Sequence, residues 1–308
     1  MTGATGFIGS YVLERLVSSG DHRVSILMRD KSDPWRIAHL LPKIEVVTGS
    51  TENVASLRDE LSRFSPNVLL HLAWSGLAGA ARNDMSQVAN LVSTLDLVSL
   101  AREVGAESFI GLGSQAEYAT SASSIDEEAA TRPTSLYGTA KLCASLMGER
   151  LCEQLRLRFA WIRVFAVYGP KDSPSWLIPS LTRQLLEGKR PVLTAGEQRW
   201  DYLFVRDAAE AICRVAETPT ARGVFNLGSG QPRTVRSIAE QLRDAIDPRL
   251  PMGFGEVPYA SGQIMHMEAA VERLKVATGW TPSTPLERGL AETVAWHRQL
   301  HDGGVARS

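Results

Sequence analysis

The chain has 308 residues, 44% of them hydrophobic and 22% charged, enough to bury the core of one large α/β domain or two smaller ones. Its formal net charge of −1 leaves no electrostatic footprint for a nucleic acid or an anionic membrane. Cys143, Cys152 and Cys213 are odd in number and lack C-x-x-C spacing, so they read as small buried hydrophobes of a reducing cytoplasm rather than a disulfide or zinc framework.

The chain opens "MTGATGFIGS", with Gly3, Gly6 and Gly9 directly before the amphipathic "SYVLERLVSSG". Glycines let a backbone approach a pyrophosphate, and a helix N-terminus offers it unpaired N–H groups and a positive dipole end. Such a turn normally follows a buried strand, yet only Met1 and Thr2 stand before Gly3. Losing ~3 buried aliphatic side chains at ~1.5–3 kcal/mol each would remove ~5–9 kcal/mol. A few more apolar residues are therefore expected upstream, with weak cofactor binding and low stability without them.

Apolar strands are then predicted over residues 23–28, 44–48, 67–73, 108–113 and 159–165, separated by helical periodicity, most clearly over 86–105 and 135–155. Near-continuous hydrophobicity in the strands means that both sheet faces are covered. The rhythm loosens after "VYGP" (167–170), and two strand-like pieces, "DYLFV" and "VFNLG", follow. The expected fold is α/β, a Rossmann-like doubly wound parallel sheet with a smaller mixed C-terminal lobe. Residues 1–168 plus about 202–227 would form the dinucleotide-binding domain, its first strand missing. Residues about 169–201 plus 228–308 would form the substrate lobe. No apolar run is long enough to cross a membrane.

An acid at the end of the second strand receives the ribose hydroxyls of NAD, whereas an Arg accommodates the 2′-phosphate of NADP. Here "ILMRDK" puts Met28 at the acidic position and Arg29 next, which predicts NADP(H) over NAD(H), with Asp30 the competing feature. Tyr137 and Lys141 lie four apart and share a helix face, where an ammonium can draw a tyrosine toward working pH. Ser114 follows a strand C-terminus, where ligands of open α/β sheets bind.

On "TGATGFIG", "HLA" (71–73), Asn90, "GSQAEYA", "YGTAK", "RVFAVYGP", "WDYLFVRDAA", "FNLGSG" and "GWTP", the chain resembles the extended short-chain dehydrogenase/reductases. Their nucleotide-sugar epimerases, dehydratases and reductases are the particular likeness. The resemblance implies that Ser114 holds the substrate oxygen, Tyr137 exchanges its proton, and Lys141 binds the nicotinamide ribose and tunes Tyr137. It implies cofactor contacts from Gly3, Thr5, Gly6, Phe7, Ile8 and Gly9 at the turn. Further along, the cofactor would meet Arg29, Leu72, Ala73, Asn90, Tyr137 and Lys141. Ser114, Gln115, Trp176 and Arg199 would meet the substrate. Pairing of the helices that carry Asn90 and Tyr137 would make a homodimer.

Departures from the pattern narrow the reaction. Gln115 and Ala116 stand where dehydratases resembling this chain have an Asp and a Glu, and neither can exchange a proton usefully. Ala116 and Trp176 stand where relatives that epimerise neighbouring carbons have a Cys and a His. Trp200 and Ala260 replace two diphosphate-binding arginines, with Lys189, Arg190 and Arg233 as candidate substitutes. Asp207 and Glu210 read as a capping box, and His71 as a packing residue. His266, His297 and His301 form no ligand set, so no metal is expected. The expected function is NADPH-dependent reduction of a nucleotide-linked 4-keto-6-deoxyhexose. An NAD-dependent 4-epimerase is the alternative, followed by a non-sugar carbonyl reductase or a non-catalytic NADP-binding sensor.

Overall fold

The opening turn runs straight into α1 (Phe7–Ser19), and the computed structural model describes residues 1–302 in all. Gly3 adopts φ +74°, and a Cβ there would lie 2.6 Å from the Ala73 nitrogen. One on Gly9 would fall 2.0 Å from the Gly3 oxygen. The first part of the chain continues through β1 (Ser25–Met28), β2 (Glu45–Thr48), α2 (Arg58–Phe64), β3 (Val68–His71), α3 (Gln87–Glu103), β4 (Ser108–Ser114), α4 (Leu136–Leu155) and β5 (Arg158–Val164). The expected strands and the two long helices are all found, with boundaries moved by one or two residues.

β3, β4, β5 and a later strand make a four-stranded parallel sheet, and β1 and β2 pair separately. Between the two pieces lies the place of the expected central strand, spanned by Thr2 alone. Thr2 bridges Leu27 on one side and His71 on the other, both parallel. Its N–H donates to the Leu70 carbonyl, while the Met1 carbonyl accepts from Leu27. The Met1 ammonium donates to the Ser25 carbonyl at 2.5 Å, and burial pulls it from 8.0 down to about 5. Beside it opens a cavity of about 330 Å³ lined by apolar side chains such as Leu16, Val47, Phe64 and Leu97 and by polar ones such as Asp21, Arg23, Asn67 and Glu217.

Beyond β5 come β6 (Ala166–Tyr168), α5 (Leu177–Leu186), β7 (Val192–Leu193), β8 (Arg199–Trp200), β9 (Tyr202–Phe204), α6 (Val205–Glu217) and β10 (Gly223–Leu227). β10 closes the sheet against β5. The remainder is β11 (Arg233–Thr234), α7 (Val235–Ile246), β12 (Gly253–Phe254), β13 (His266–Met267), α8 (Glu272–Thr278) and α9 (Leu286–Asp302). α5, α7 and α9 pack around Ile178, Leu181, Ile238, Leu242, Leu290 and Val294 as a second core. α8 joins β10 and α6 instead, so the C-terminal stretch is shared between the two cores. Residues 303–308 of the expected lobe lie outside the described residues.

The expected capping box at Asp207 is corrected. α6 starts at Val205 with Phe204 as its cap, so Asp207 is already inside the helix. Its carboxylate instead accepts from the Ser283 and Thr284 backbone and the Ser283 hydroxyl, tying down the segment before α9. Glu210 pairs with Arg15 and Arg214. Cys152 and Cys213 are buried, as their composition implied, while Cys143 is partly exposed; all three are free.

Candidate active site

At the C-terminal ends of β1 to β5 opens a cavity of about 1170 Å³. Open α/β sheets bind ligands at this edge, where strand order reverses. One end is the glycine turn. No side chain caps α1, and no acid stands in its first turn, so its leading N–H groups are free for an anion. Gly3, Thr5, Gly6, Phe7, Ile8 and Gly9 all line this end. The contacts a Cβ would make at Gly3 and Gly9 show that only glycine fits this close-packed turn, which therefore suits a dinucleotide pyrophosphate.

Arg29 lies just past β1, exposed and facing the cavity. Arg36, which the sequence reading passed over, also lines the cavity, its guanidinium donating to the Thr5 and Lys171 carbonyls at 3.3 and 2.9 Å. Leu72 and Ala73 form the floor after β3. Asn90 lines the cavity too, and its amide clamps Ser75 through the Ser75 N–H and carbonyl at 3.0 and 3.1 Å.

The other end holds the reacting groups. Tyr137 and Lys141 occupy one face of α4, whose N-cap Ser135 accepts from Gly138 N. A Cβ on Gly138 would sit 2.2 Å from the Ala116 carbonyl, so glycine there lets the start of α4 press against the turn after β4. Ser114 and Tyr137 line the same cavity wall, and the Ser114 side chain acts on the Tyr137 hydroxyl. Lys141 is buried, its ammonium donating to the Leu112 carbonyl at 2.5 Å and lying 3.7 Å from the Trp74 ring centroid. Gln115 and Trp176 line the same wall.

Burial raises the Tyr137 hydroxyl, and the groups opposing that rise are Ser114 and Arg82. The Arg82 guanidinium stacks 4.3 Å over the Tyr137 ring. Burial also pulls Lys141 down to about 7, with the charge of Glu117 opposing the fall. Arg199, by contrast, does not join the cavity; it is exposed on β8 and donates to the Pro232 carbonyl, while its neighbour Trp200 faces inward. Lys189 and Arg190 are taken up by Glu187 and Glu256.

Trp74, Arg82, Glu117 and Arg163, like Arg36, are residues that sequence reading missed. Arg163 carried a legible signal, because a charge inside the apolar "FAWIRVF" requires a buried partner. His71 is in the packing role expected of it, between Thr2 and Thr94 hydroxyls at 2.9 and 3.1 Å. Among the described residues, no group of three or more His, Cys, Asp or Glu is placed to hold a metal ion, and no helix is long and apolar enough to cross a membrane.

Known proteins are similar to this chain in sequence and fold. A probable UDP-glucuronate 4-epimerase of Rhizobium meliloti is 26% identical, the match covering 97% of this chain and 96% of that protein. The UDP-glucose 4-epimerase of Mycolicibacterium smegmatis is also 26% identical, over 97% of each chain. Among solved structures, the UDP-glucose 4-epimerase of Thermotoga maritima superposes with a TM-score of 0.84 at 24% identity, covering 97% of this chain and 98% of its own, and so shares the fold. The model of the NAD dependent epimerase/dehydratase family matches residues 1–228. The chain therefore belongs to that family, and is an enzyme of the extended short-chain dehydrogenase/reductase type.

Proposed function

We propose that the protein is a nucleotide-sugar 4-epimerase. The observation that carries this reading is the convergence of Ser114, Tyr137 and Lys141 on one wall of a cavity whose far end is the glycine turn. Bound in that cavity, a nicotinamide dinucleotide would take up a hydride from the sugar carbon and return it. Ser114 then holds the reacting oxygen, Tyr137 takes and gives back its proton, and Lys141 holds the ribose. Gln115 and Ala116 after Ser114 leave no acid and base for removing water, which sets the dehydratases among the relatives aside. The curated relatives compared above are named as 4-epimerases, which places this reading ahead of the ketoreductase that the strand end alone suggested.

Two observations favour NADPH-dependent ketone reduction as a second reading. Arg29 and Arg36 both face the region beyond β1 and suit a 2′-phosphate. Tyr137, raised by burial, is held protonated and suited to donate. The cavity would bind the cofactor across residues 1–168 and 202–227, with the sugar nucleotide toward the second core. The exposed apolar side chains of α3 and α4 support a homodimer.

Incubating the protein with UDP-glucose or UDP-glucuronate and NAD is expected to yield the 4-epimer with no net change in reduced cofactor. Tyr137→Phe is expected to lower turnover ~10²–10⁴-fold, the usual contribution of general acid/base catalysis, while cofactor binding remains. Stoichiometric NADPH oxidation with a nucleotide-linked 4-keto sugar, weakened by Arg29→Ala, would select the reductase instead. Retained turnover in Tyr137→Phe would remove both readings.

A further inference from the structure

Directly beneath the reacting groups, and outside the cavity lining, lies a buried charged cluster. Glu117 is fully buried in the short turn that follows β4. One of its carboxylate oxygens accepts from the Ser114 backbone N–H at 2.8 Å and from the Trp161 indole at 3.0 Å. The other accepts from the Arg163 guanidinium at 2.7 Å. Arg163 also donates to the Tyr118 hydroxyl at 2.8 Å, which in turn donates to Asn226.

The sheet is shaped to admit this cluster. Gly111 and Gly113 on β4 pair with Trp161 and Arg163 on β5. A Cβ on Gly113 would lie 2.3 Å from the Trp161 indole nitrogen and 2.5 Å from the Glu117 carboxylate. The alternating glycines of "GLGS" thus leave a groove for the indole, and Glu117 closes its end. Buried ion pairs are weak contributors to stability, because desolvation offsets their attraction. A stabilising role therefore explains this one poorly, and its placement beneath Ser114 and Lys141 calls for a different account.

We propose that Glu117 is a positioning residue for the hydride-transfer site, locking the Ser114 backbone with one oxygen and setting a buried negative charge behind Trp161 on the Lys141 side. The inference rests on the proposed role of Ser114 and Lys141. Trp161 connects the two effects, since its indole bonds Glu117 while its ring lies 5.6 Å from the Lys141 nitrogen. The other charged or titratable groups on the elements packed around Lys141 are His71 on β3, Tyr137 one turn back on α4, Arg82 over the Tyr137 ring, and Arg163 on β5, whose guanidinium is paired with Glu117. Burial holds His71 down at about 3, so it stays neutral at working pH. Arg82 is offset by no carboxylate among the described ion pairs. Glu117 is thus the anion that raises Lys141 against the desolvation that lowers it.

Lysine labelled with ¹³C at Cε reports the Lys141 titration directly by NMR, with Lys141→Gln assigning its resonance and no substrate required. In Glu117→Gln the carboxylate becomes a neutral amide that can still accept from the Ser114 N–H and the Trp161 indole, and the Lys141 midpoint is expected to fall by about one pH unit or more. Glu117→Asp keeps the charge but draws back one methylene from Ser114. Its Lys141 midpoint is expected to stay near that of the wild type while kcat falls ~10-fold with KM little changed, the size of one lost hydrogen bond. An unmoved midpoint in folded Glu117→Gln overturns the proposal. If that variant does not fold, wild-type kcat in Glu117→Asp overturns it. Absence of turnover in the wild type counts against the reaction reading alone and leaves the NMR result standing.

Discussion

At the residue scale, His71 shows how burial turns an ordinary side chain into a pH-dependent support. It is 4% exposed and bridges Thr2 to Thr94 across the place of the central strand. Desolvation, helped by the charge of Lys141, lowers it from 6.5 to about 3. A depressed base binds fewer protons folded than unfolded, so its support is complete above pH 6.5 and is lost as pH falls toward 3. Each pH unit in that window removes up to ~1.4 kcal/mol. His71→Asn is expected to lose ~1–3 kcal/mol at pH 7 by leaving hydroxyls unpaired, yet to lose less further stability between pH 6.5 and 4. Urea midpoints over that range measure both effects; parallel wild-type and variant curves would contradict the assignment. The polar residues at the strand ends were only partly legible for a related reason. Tyr137, Lys141 and Ser114 follow a fixed local spacing. Arg82 and Trp74 reach Tyr137 and Lys141 only because the loop after β3 folds back over α4, a tertiary contact that spacing does not encode.

At the scale of elements, the strands were readable because a doubly covered sheet demands continuous apolar runs. The short elements after β6 were not, since two-residue strands such as β7 and β8 carry no periodicity. Thr2 marks the point where the expectation of a missing strand meets the structure. Met1 and Thr2 bond to Leu27 and Leu70 there, and the 330 Å³ cavity lies beside them. The Met1 amine sits there neutral at pH 7, because burial pulls it from 8.0 to about 5. Stability on its account is complete above pH 8 and is lost as pH falls toward 5. Adding four alternating aliphatic residues ahead of Met1 is expected to fill the cavity, pair with β1 and β3, and carry the charge away from the core. Melting points should then rise, with an upper limit of roughly 5–9 kcal/mol of added burial. The part of the acid sensitivity due to the amine should vanish. An extended protein that melts no higher, with unchanged slope between pH 8 and 5, would show that this volume accepts no strand.

For the whole molecule, the parallel order β2, β1, Thr2, β3, β4, β5, β10 puts every strand C-terminus on one edge, which is why residues as distant as Gly3, Arg29, Ser114 and Tyr137 converge there. The same order sends α3 and α4 together to one outer face. Their inner sides bury Leu97, Val98 and Ala144, as any helix on a sheet does. Their outer sides are also apolar, with Val88 and Val92 about half exposed on α3 and Leu146 and Met147 on α4. A helix pair that is apolar on both sides leaves a patch of the kind that marks an interaction surface. A second copy laying the same two helices across it would bury this patch around a two-fold axis, with the self-complementary contact such symmetry requires. A stable contact of this sort removes ~1,200–2,000 Å² from water. Sedimentation at micromolar concentration is therefore expected to show a dimer for the wild type and a folded monomer for Val92→Glu combined with Leu146→Glu. A wild-type monomer, or a variant that still sediments as a dimer, would move the interface elsewhere. Because Tyr137 and Lys141 ride on α4, the monomeric variant is also expected to turn over more slowly than the dimer.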